Sequence, residues 1–448
     1  MKIHFHTFGC KLNQAETEEL EEKFKVQNWQ IVDKTKANIH FINACVVTQK
    51  AEKEVRQLIH LVKRKFPNCF LVVAGCFTPE MKVKEKQNVD LWLNNSGKER
   101  INELILEKLY KFNSSKDIQK RISQTRTRAL IKIQSGCQHY CAYCIVPFLR
   151  KKVVSRLVKN IIQEIKKKEK QGYQEIVLVG TNIGLYSDPK KSLNLTDLLK
   201  EILTKTSISR IRLSSLWPTN INSELISLIK KSPRICPHFH LSVQSASDKI
   251  LKRMNRQYTR ADLEKIIKKI YQIPNVNLTT DIIVGFPGET DSDFTQTMEF
   301  VQKSKILKVH VFRFSPRPKT KAADFKEQIS EQAKQIRSRE LIKLGEKVSQ
   351  QRRKDFLDKQ FSVLIEALGR SPTGEAKQGT YWQGLTSNYL KIFVHPVRSS
   401  RQNCSSFDNS KFTSNGVQSD EDLSNQIIKV KLTELYQDGI RGEIKSFV

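Results

Sequence analysis

Ala129-Leu130-Ile131-Lys132-Ile133-Gln134-Ser135-Gly136-Cys137-Gln138-His139-Tyr140-Cys141-Ala142-Tyr143-Cys144 is the stretch from which the rest of the chain can be read. The apolar run over 129–133 predicts a strand, and Ser135-Gly136 predicts the turn that ends it. Three residues separate Cys137 from Cys141 and two separate Cys141 from Cys144, so three thiols share one short loop. Thiolates suit iron–sulfur clusters, and a four-iron cluster needs one ligand per iron. Three cysteines leave one iron free for a reactant, as catalytic metal sites keep an open position. The alternative is a zinc ion completed by His139, but a residue between Cys137 and Cys141 is poorly placed as a fourth ligand.

Outward from this loop, strand-like runs recur at 175–179, 210–214, 238–243, 277–284 and 309–314. Helical patterns lie between them, as at 260–271 and 291–303. A complete eightfold barrel takes about 250 residues, so the shorter alternation here predicts a partial (β/α)6 barrel. Upstream, strands at 2–8, 38–47, 70–74 and 89–93 alternate with helices at 15–26 and 49–66, which implies a parallel sheet. Downstream, a charged helix is expected within 326–358. Short β-type runs at 361–367, 389–394 and 427–432 then predict a small barrel. The fold class is therefore α/β with a terminal β module. The expected divisions are 1–112, a linker over 113–128, 129–325, the helix over 326–358, and 359–448 with a flexible insertion at 398–426.

Cys10, Cys45 and Cys76 each fall in or just beyond the carboxyl end of an expected strand in the first sheet, the edge where ligands sit in open parallel sheets. Singly, each reads as a small buried hydrophobe. Together, with Gly9 and Gly75 beside two of them, they suggest a second metal cluster. Nine cysteines in all, an odd number, argue against a complete disulfide framework. Cys404, in the insertion, reads as a bystander.

Seventy-eight Lys and Arg against 46 Asp and Glu give a net charge of +32. A polyanion is the natural partner of such a chain, with a generally lysine-rich composition as the bland alternative. Segment 150–170 carries nine basic and two acidic residues. Its Lys166-Lys167-Lys168 run reads either as a solvated helix face or as a set of phosphate contacts. Tyr381, Trp382 and Tyr389, with Lys377, Lys391 and Arg398, suggest a stacking surface for single-stranded RNA, with core packing as the alternative. No apolar run approaches the roughly 18 residues of a membrane span, and the first residues do not read as a signal peptide, so the expectation is cytoplasmic.

The CxxxCxxC run resembles the radical S-adenosylmethionine (SAM) superfamily. The resemblance extends over nearly the whole chain to the methylthiotransferases. It is carried by Thr7-Phe8-Gly9-Cys10-Lys11-Leu12-Asn13-Gln14, Asn43-Ala44-Cys45, Gly180-Thr181-Asn182-Ile183-Gly184, Arg212-Leu213-Ser214-Ser215, His240-Leu241-Ser242-Val243-Gln244-Ser245, Lys252-Arg253-Met254-Asn255-Arg256, Asp281 through Glu289, and Phe314-Ser315-Pro316-Arg317-Pro318. It implies a first domain packed over the mouth of a radical SAM barrel, and a carboxyl-terminal TRAM domain. It also implies two [4Fe-4S] clusters. Cys137, Cys141 and Cys144 would hold the one that cleaves SAM, and Cys10, Cys45 and Cys76 the one that presents sulfur. Two SAM molecules would serve, one for the methyl group and one for the radical. Tyr143, Gly180, Asn182, Gln244 and Gly285 would lie around SAM or substrate. The implied partners are a tRNA anticodon stem-loop and a reductant protein of flavodoxin or ferredoxin type.

The run Gly9-Cys10-Lys11-Leu12-Asn13-Gln14 resembles the branch acting on N6-threonylcarbamoyladenosine at tRNA position 37. The alternatives are N6-isopentenyladenosine, whose branch typically has Gln–Met after this cysteine, and an aspartate of a ribosomal protein. A non-enzymatic iron–sulfur RNA-binding module is the rival from another class. The threonylcarbamoyl carboxylate would favour a cationic pocket. Arg150 and Arg156 are the candidates for it, each with a surface phosphate contact as its alternative. Lys151 and Lys319 stand where the family commonly has glycine, which puts the local loop geometry there in question.

Overall fold

The computed structural model describes residues 1–109, 127–369, 381–394 and 423–447. Residues 113–126 of the expected linker (113–128), residues 398–422 of the expected insertion (398–426), and Lys377, Arg398 and Cys404 lie outside them.

The first sheet contains β1 (Lys2–Thr7), β2 (Gln30–Ile31), β3 (Ile39–Ala44), β4 (Phe70–Gly75) and β5 (Leu91–Leu93), in the order β2-β1-β3-β4-β5. All pairs are parallel, so both faces must be covered. Helices Lys11–Val26 and Ile101–Leu109 pack Leu20, Phe24, Ile101 and Ile105 against Ile3, Phe41 and Val72. Helix Gln49–Lys65 covers the other face with Val55, Ile59 and Val62. Each such fully buried side chain stabilises the sheet by roughly 1.5–3 kcal/mol.

The central strands are β6 (Arg128–Lys132), β7 (Gln134–Ser135), β8 (Val154–Ser155), β9 (Glu175–Val179), β10 (Arg210–Leu213), β11 (Ser215–Leu216), β12 (His238–Gln244), β13 (Asn277–Val284) and β14 (Lys308–Arg313). They form parallel sheets β10-β9-β6 and β11-β12-β13-β14, bridged at Ile211 and Ile235, with β7–β8 as a small antiparallel pair. Strand alternation divides the side chains. Ile131, Ile176, Leu178, Ile211, Leu241 and Ile282 join the outer core against the helices. Leu130, Val177 and Val179 instead pack on Ala15 of helix Lys11–Val26, which lies against the inner face of β6 and β9.

Helix Glu331–Lys354 leads to β15 (Gln360–Gly369), β16 (Tyr381–Thr386), β17 (Lys391–Val394), β18 (Ile427–Tyr436) and β19 (Gly439–Phe447), a closed barrel in the order β15-β16-β17-β19-β18. It docks on the amino-terminal ends of the central strands. Arg210 donates to the carbonyls of Leu385 and Ser362 at 3.1 and 2.7 Å. Arg212 donates to those of Ser387 and Thr386 at 2.9 and 3.1 Å.

This docking corrects one expectation. Tyr381 and Trp382 are buried, and Tyr389 stacks on His238 at 4.2 Å with the Arg212 guanidinium 5.2 Å from its ring. These aromatics hold the terminal barrel together and to its neighbour, and Lys391 pairs with Asp438 at 2.9 Å. They do not form an open stacking surface.

Candidate active site and nucleic-acid cleft

Cys10, Cys45 and Cys76 follow β1, β3 and β4, which are neighbours in the sheet with Thr7, Asn43 and Ala74 in register. Adjacent strands lie about 4.8 Å apart, so topology alone brings the three turns to one rim. Gly9 sits at φ +90°, and a Cβ there would lie 2.4 Å from Cys45 Cβ and 2.6 Å from its sulfur. Only glycine permits that approach. Asn95 donates to Cys76 Sγ at 3.6 Å. Burial first, and then the neighbouring Cys76 and Cys10, push the Cys45 thiol up to about 12.

A buried polar network braces this rim. Asn13 donates to the carbonyls of Phe8 and Ala44, both at 3.0 Å. Lys98 reaches Glu16 at 2.6 Å and Asn43 at 2.9 Å. Arg150, from the second unit, meets Glu16 at 2.7 and 3.1 Å, Asn13 at 3.1 Å and Ser135 at 2.8 Å. Burial opposes the charge on Glu16, but Lys98, Arg150 and Lys132 outweigh it and hold the carboxyl well below its ordinary range. With two buried cations against one carboxylate, the rim beside Cys10 and Cys76 is electropositive, which suits thiolates carrying a metal cluster.

Arg150 is therefore saturated inside the protein. Arg156 likewise meets Glu164 at 2.6 Å, Glu19 at 3.4 Å and the carbonyl of Lys132 at 2.8 Å. Lys167 and Lys168 both reach Glu22 at 2.6 Å. These basic residues, offered by sequence as pocket or phosphate contacts, instead clamp helix Lys11–Val26 to the barrel. Arg317 to Glu52 at 2.5 Å closes the other side.

The second trio sits in the loop after β6. The segment over 254–256 braces it. The amide of Ala142 donates to the carbonyl of Met254 at 3.0 Å. Asn255 donates to the carbonyls of His139 and Tyr140 at 3.2 and 3.1 Å. Arg256 lies over the Trp217 ring at 3.8 Å and donates to Cys141 Sγ at 3.7 Å, while His139 stacks on Trp217 at 3.7 Å. Burial, then Cys141, push the Cys144 thiol up to about 12. Burial first, and then repulsion within the trio, raise the Cys137 and Cys144 thiols, and a bound metal cluster would remove their protons outright. No three His, Cys, Asp or Glu side chains among the described residues surround a single metal ion; a polynuclear cluster spreads its ligands further apart than one ion does.

Around this loop, Gln134 links the Gly136 carbonyl at 2.6 Å to the Asn182 amide at 3.0 Å. Asn182 Nδ2 and Ser214 Oγ are buried without a hydrogen-bond partner among the described residues, the condition of groups awaiting a ligand. Gln244 ends β12 at φ +70° after a register shift against β13, the kind of backbone outlier that collects at functional sites. Tyr143 meets Phe286 edge-on at 6.5 Å. A Cβ at Gly180 would press on the Gln134 carbonyl at 3.0 Å, and one at Gly285 would lie 2.2 Å from Lys334. Both glycines thus have packing reasons of their own. Sequence places Arg256 in a motif without giving it a role, because Trp217 and Cys141 lie 39 and 115 residues away; a basic residue two positions after a methionine gives no sign of burial.

Between the two units runs a cleft of about 1590 Å³. Lys82, Lys151, Lys152 and Lys319 line it with no ion pair among the described residues. Phe148 lines it too, 38% exposed, beside Tyr140, 52% exposed, at 6.1 Å. No described helix is long and apolar enough to cross a membrane.

Residues 131–301 match the radical SAM superfamily, and residues 2–94 match an uncharacterized protein family, UPF0004. The chain is 35% identical over 376 residues to the threonylcarbamoyladenosine tRNA methylthiotransferase MtaB of Thermotoga maritima, covering 81% of this chain and 86% of the relative. It is 33% identical over 407 residues to MtaB of Bacillus subtilis, covering 87% and 89%. A tRNA-2-methylthio-N(6)-dimethylallyladenosine synthase of Natranaerobius thermophilus is 34% identical over 391 residues, covering 83% and 87%. Among solved structures, the radical SAM methyltransferase TsrM of Kitasatospora setae shares the fold at TM-score 0.54 and 13% identity over 72% of this chain and 77% of that one. With a CxxxCxxC loop at the barrel mouth and full-length relatives of one kind, the chain belongs to the radical SAM tRNA methylthiotransferases, enzymes that use SAM and a [4Fe-4S] cluster.

Proposed function

We propose that the chain adds a methylthio group to C2 of N6-threonylcarbamoyladenosine at position 37 of tRNA, using a second [4Fe-4S] cluster held by Cys10, Cys45 and Cys76. The observation that carries this reading is the meeting of those three cysteines on one electropositive rim, tied by Arg150 to the unit that bears the other trio. When bound, the clusters and SAM supply the electron, the radical, the sulfur and the methyl group.

The protein's own residues bind, orient and exclude water. Cys137, Cys141 and Cys144 hold the SAM-cleaving cluster, with the Arg256 guanidinium beside Cys141 balancing thiolate charge. Asn182 and Gln244, with Tyr143 and the backbone at Gly180 and Gly285, position SAM. Asn182 Nδ2 and Ser214 Oγ provide donors that nothing else among the described residues uses. Arg150 and Lys98 set the positive field at the sulfur-presenting rim. In the cleft, Lys82, Lys151, Lys152 and Lys319 take phosphates of the anticodon stem-loop, while Phe148 and Tyr140 offer faces for unstacked bases. A reductant of flavodoxin or ferredoxin type feeds the first cluster, and the reaction belongs to the cytoplasm, where tRNA is.

The second reading is methylthiolation of N6-isopentenyladenosine, favoured by the name of the Natranaerobius relative. Nucleosides from tRNA treated with the reconstituted protein separate the two by mass. The 2-methylthio derivative of N6-threonylcarbamoyladenosine is expected, and exclusive formation of the isopentenyl derivative overturns the proposal.

A further inference from the structure

We infer that Lys11 is the residue that reads the substrate's carboxylate, binding it within the polar interior of the barrel. This rests on the threonylcarbamoyl reading above. The two arginines suggested by sequence are closed off, Arg150 by Glu16, Asn13 and Ser135, and Arg156 by Glu19 and Glu164. Lys11 is not. It opens helix Lys11–Val26, which rests on the inner faces of β6 and β9 through Ala15, and it immediately follows Cys10.

Its half-buried ammonium has no hydrogen bond or ion pair among the described residues. It stands in electrostatic reach of Arg128, Arg212, Glu175 and Glu366, and of His238 and His310 on the opposite sheet. The described carboxylates near it are already taken. Glu175 holds Arg212 at 2.6 and 3.1 Å and faces Arg210 at 3.8 Å. Glu366 holds Arg128 at 2.7 Å, and Asp281, beside His310, holds His240 at 3.0 Å. Among the groups that act on it, Lys11, Arg128 and Arg212 exceed Glu175 and Glu366 by one positive charge. A single carboxylate neutralises that excess, whereas a dianionic phosphate overshoots it.

A second observation points to a polar ligand. His238 Nδ1 is buried without a partner among the described residues, while its Nε2 and His240 Nδ1 share the Thr279 hydroxyl at 3.0 and 2.8 Å. The interior thus offers an unused polar site across from an unused cation. Because Lys11 adjoins Cys10, a side chain anchored there leaves the attached base beside the first trio of cysteines.

The test compares binding of the full-length protein to two anticodon stem-loop RNAs. One carries N6-threonylcarbamoyladenosine, and the other carries its analogue with the carboxylate converted to a primary amide. Losing one charge-assisted contact should weaken binding of the amide RNA by about tenfold to a hundredfold. Lys11→Gln should weaken the acid RNA by the same factor, its effect should vanish on the amide RNA, and Lys11→Arg should recover part of the loss. Equal affinity of the wild-type protein for both RNAs overturns the role of Lys11, as does a Lys11→Gln loss that is the same on both. If Lys11→Gln loses iron, the two-RNA comparison on the wild type decides alone. Methylthiolation of the acid and amide RNAs at equal kcat/KM sinks this inference and leaves the substrate reading standing. Product from isopentenyl-adenosine RNA only sinks both.

Discussion

The two cysteine trios reach similar ends by opposite routes. Cys137, Cys141 and Cys144 are neighbours in sequence, and their loop needs only local bracing from the segment over 254–256. Cys10, Cys45 and Cys76 span 67 residues and meet only because β1, β3 and β4 are adjacent and in register. One site is written in a peptide; the other exists only once a sheet has formed. Damage to the fold should therefore strike Cys10, Cys45 and Cys76 first.

The largest effects should separate the trios by chemistry. Cys141→Ala should abolish 5′-deoxyadenosine release from SAM together with methylthiolated tRNA. Cys45→Ala should abolish the tRNA product, keep 5′-deoxyadenosine release, and lower iron by about one four-iron cluster per chain. Iron analysis with nucleoside and 5′-deoxyadenosine quantitation reads both. If Cys45→Ala retains full iron, the second cluster is not held by this trio and the contrast collapses.

Glu16→Gln comes next. Lys98 and Arg150 would then share a buried site with no carboxylate between them, and breaking such a pair costs about 3–5 kcal/mol. The loss should fall on the first sheet. Hydrogen exchange of β1, β3 and β4 should accelerate while the terminal barrel keeps its protection. Uniform acceleration across the chain would mean that the network serves the whole molecule and not the rim.

How far each region was legible follows the same division. The strands Glu175–Val179 and Asn277–Val284 and the helix Asp291–Lys303 appear with the bounds the sequence suggests, because apolar runs there end at clear turn signals. Strands Tyr381–Thr386 and Gly439–Phe447 were missed, since both contain glycine and the second has a polar face. A Cβ at Gly384 would lie 2.4 Å from the Leu364 carbonyl, so the residue that disguises the strand is required by the neighbouring one. Charge was legible in amount and not in use. Nothing local in Arg150-Lys151-Lys152 tells that the first is buried on Glu16 while the next two line a cleft. Trp382 misled for the same reason, since an aromatic beside lysines reads as a surface until the barrel closes over it.

Acid should sharpen the contrast between the sheet and the terminal barrel. His6 is lowered to about 3 by burial first, then by repulsion from His4, His40 and Lys34; His40 is lowered to about 4 by burial, then by His4. An unfolded chain takes up protons at both imidazoles near pH 6.5, whereas the folded sheet resists until about 3 to 4. Over that interval the unfolded state binds more protons, so stability is whole above pH 6.5 and falls as the pH drops. Protection factors of β1 and β3 amides should decrease between pH 7 and 5, and His6→Gln should reduce that decrease. An unchanged slope in the variant would remove His6 from the account.

The smallest effect concerns the two lysines that replace family glycines, and there the sign decides. Lys319 adopts φ +68°, and Lys151 does not adopt a positive φ. A non-glycine residue in the left-handed region is disfavoured by roughly 1–2 kcal/mol, while introducing glycine costs about 0.5–1 kcal/mol of chain entropy. Lys319→Gly should therefore gain up to about 1 kcal/mol, and Lys151→Gly should lose about 0.5–1 kcal/mol. Both side chains line the cleft, so each substitution should also weaken RNA binding and flatten its salt dependence by about one phosphate contact. Stability then moves in opposite directions while RNA affinity moves in the same one. If both variants shift stability alike, the conformation at Lys319 is imposed by its neighbours rather than strained against them, since Thr320 already donates its hydroxyl to the Arg317 carbonyl at 2.6 Å and Arg317 is anchored on Glu52.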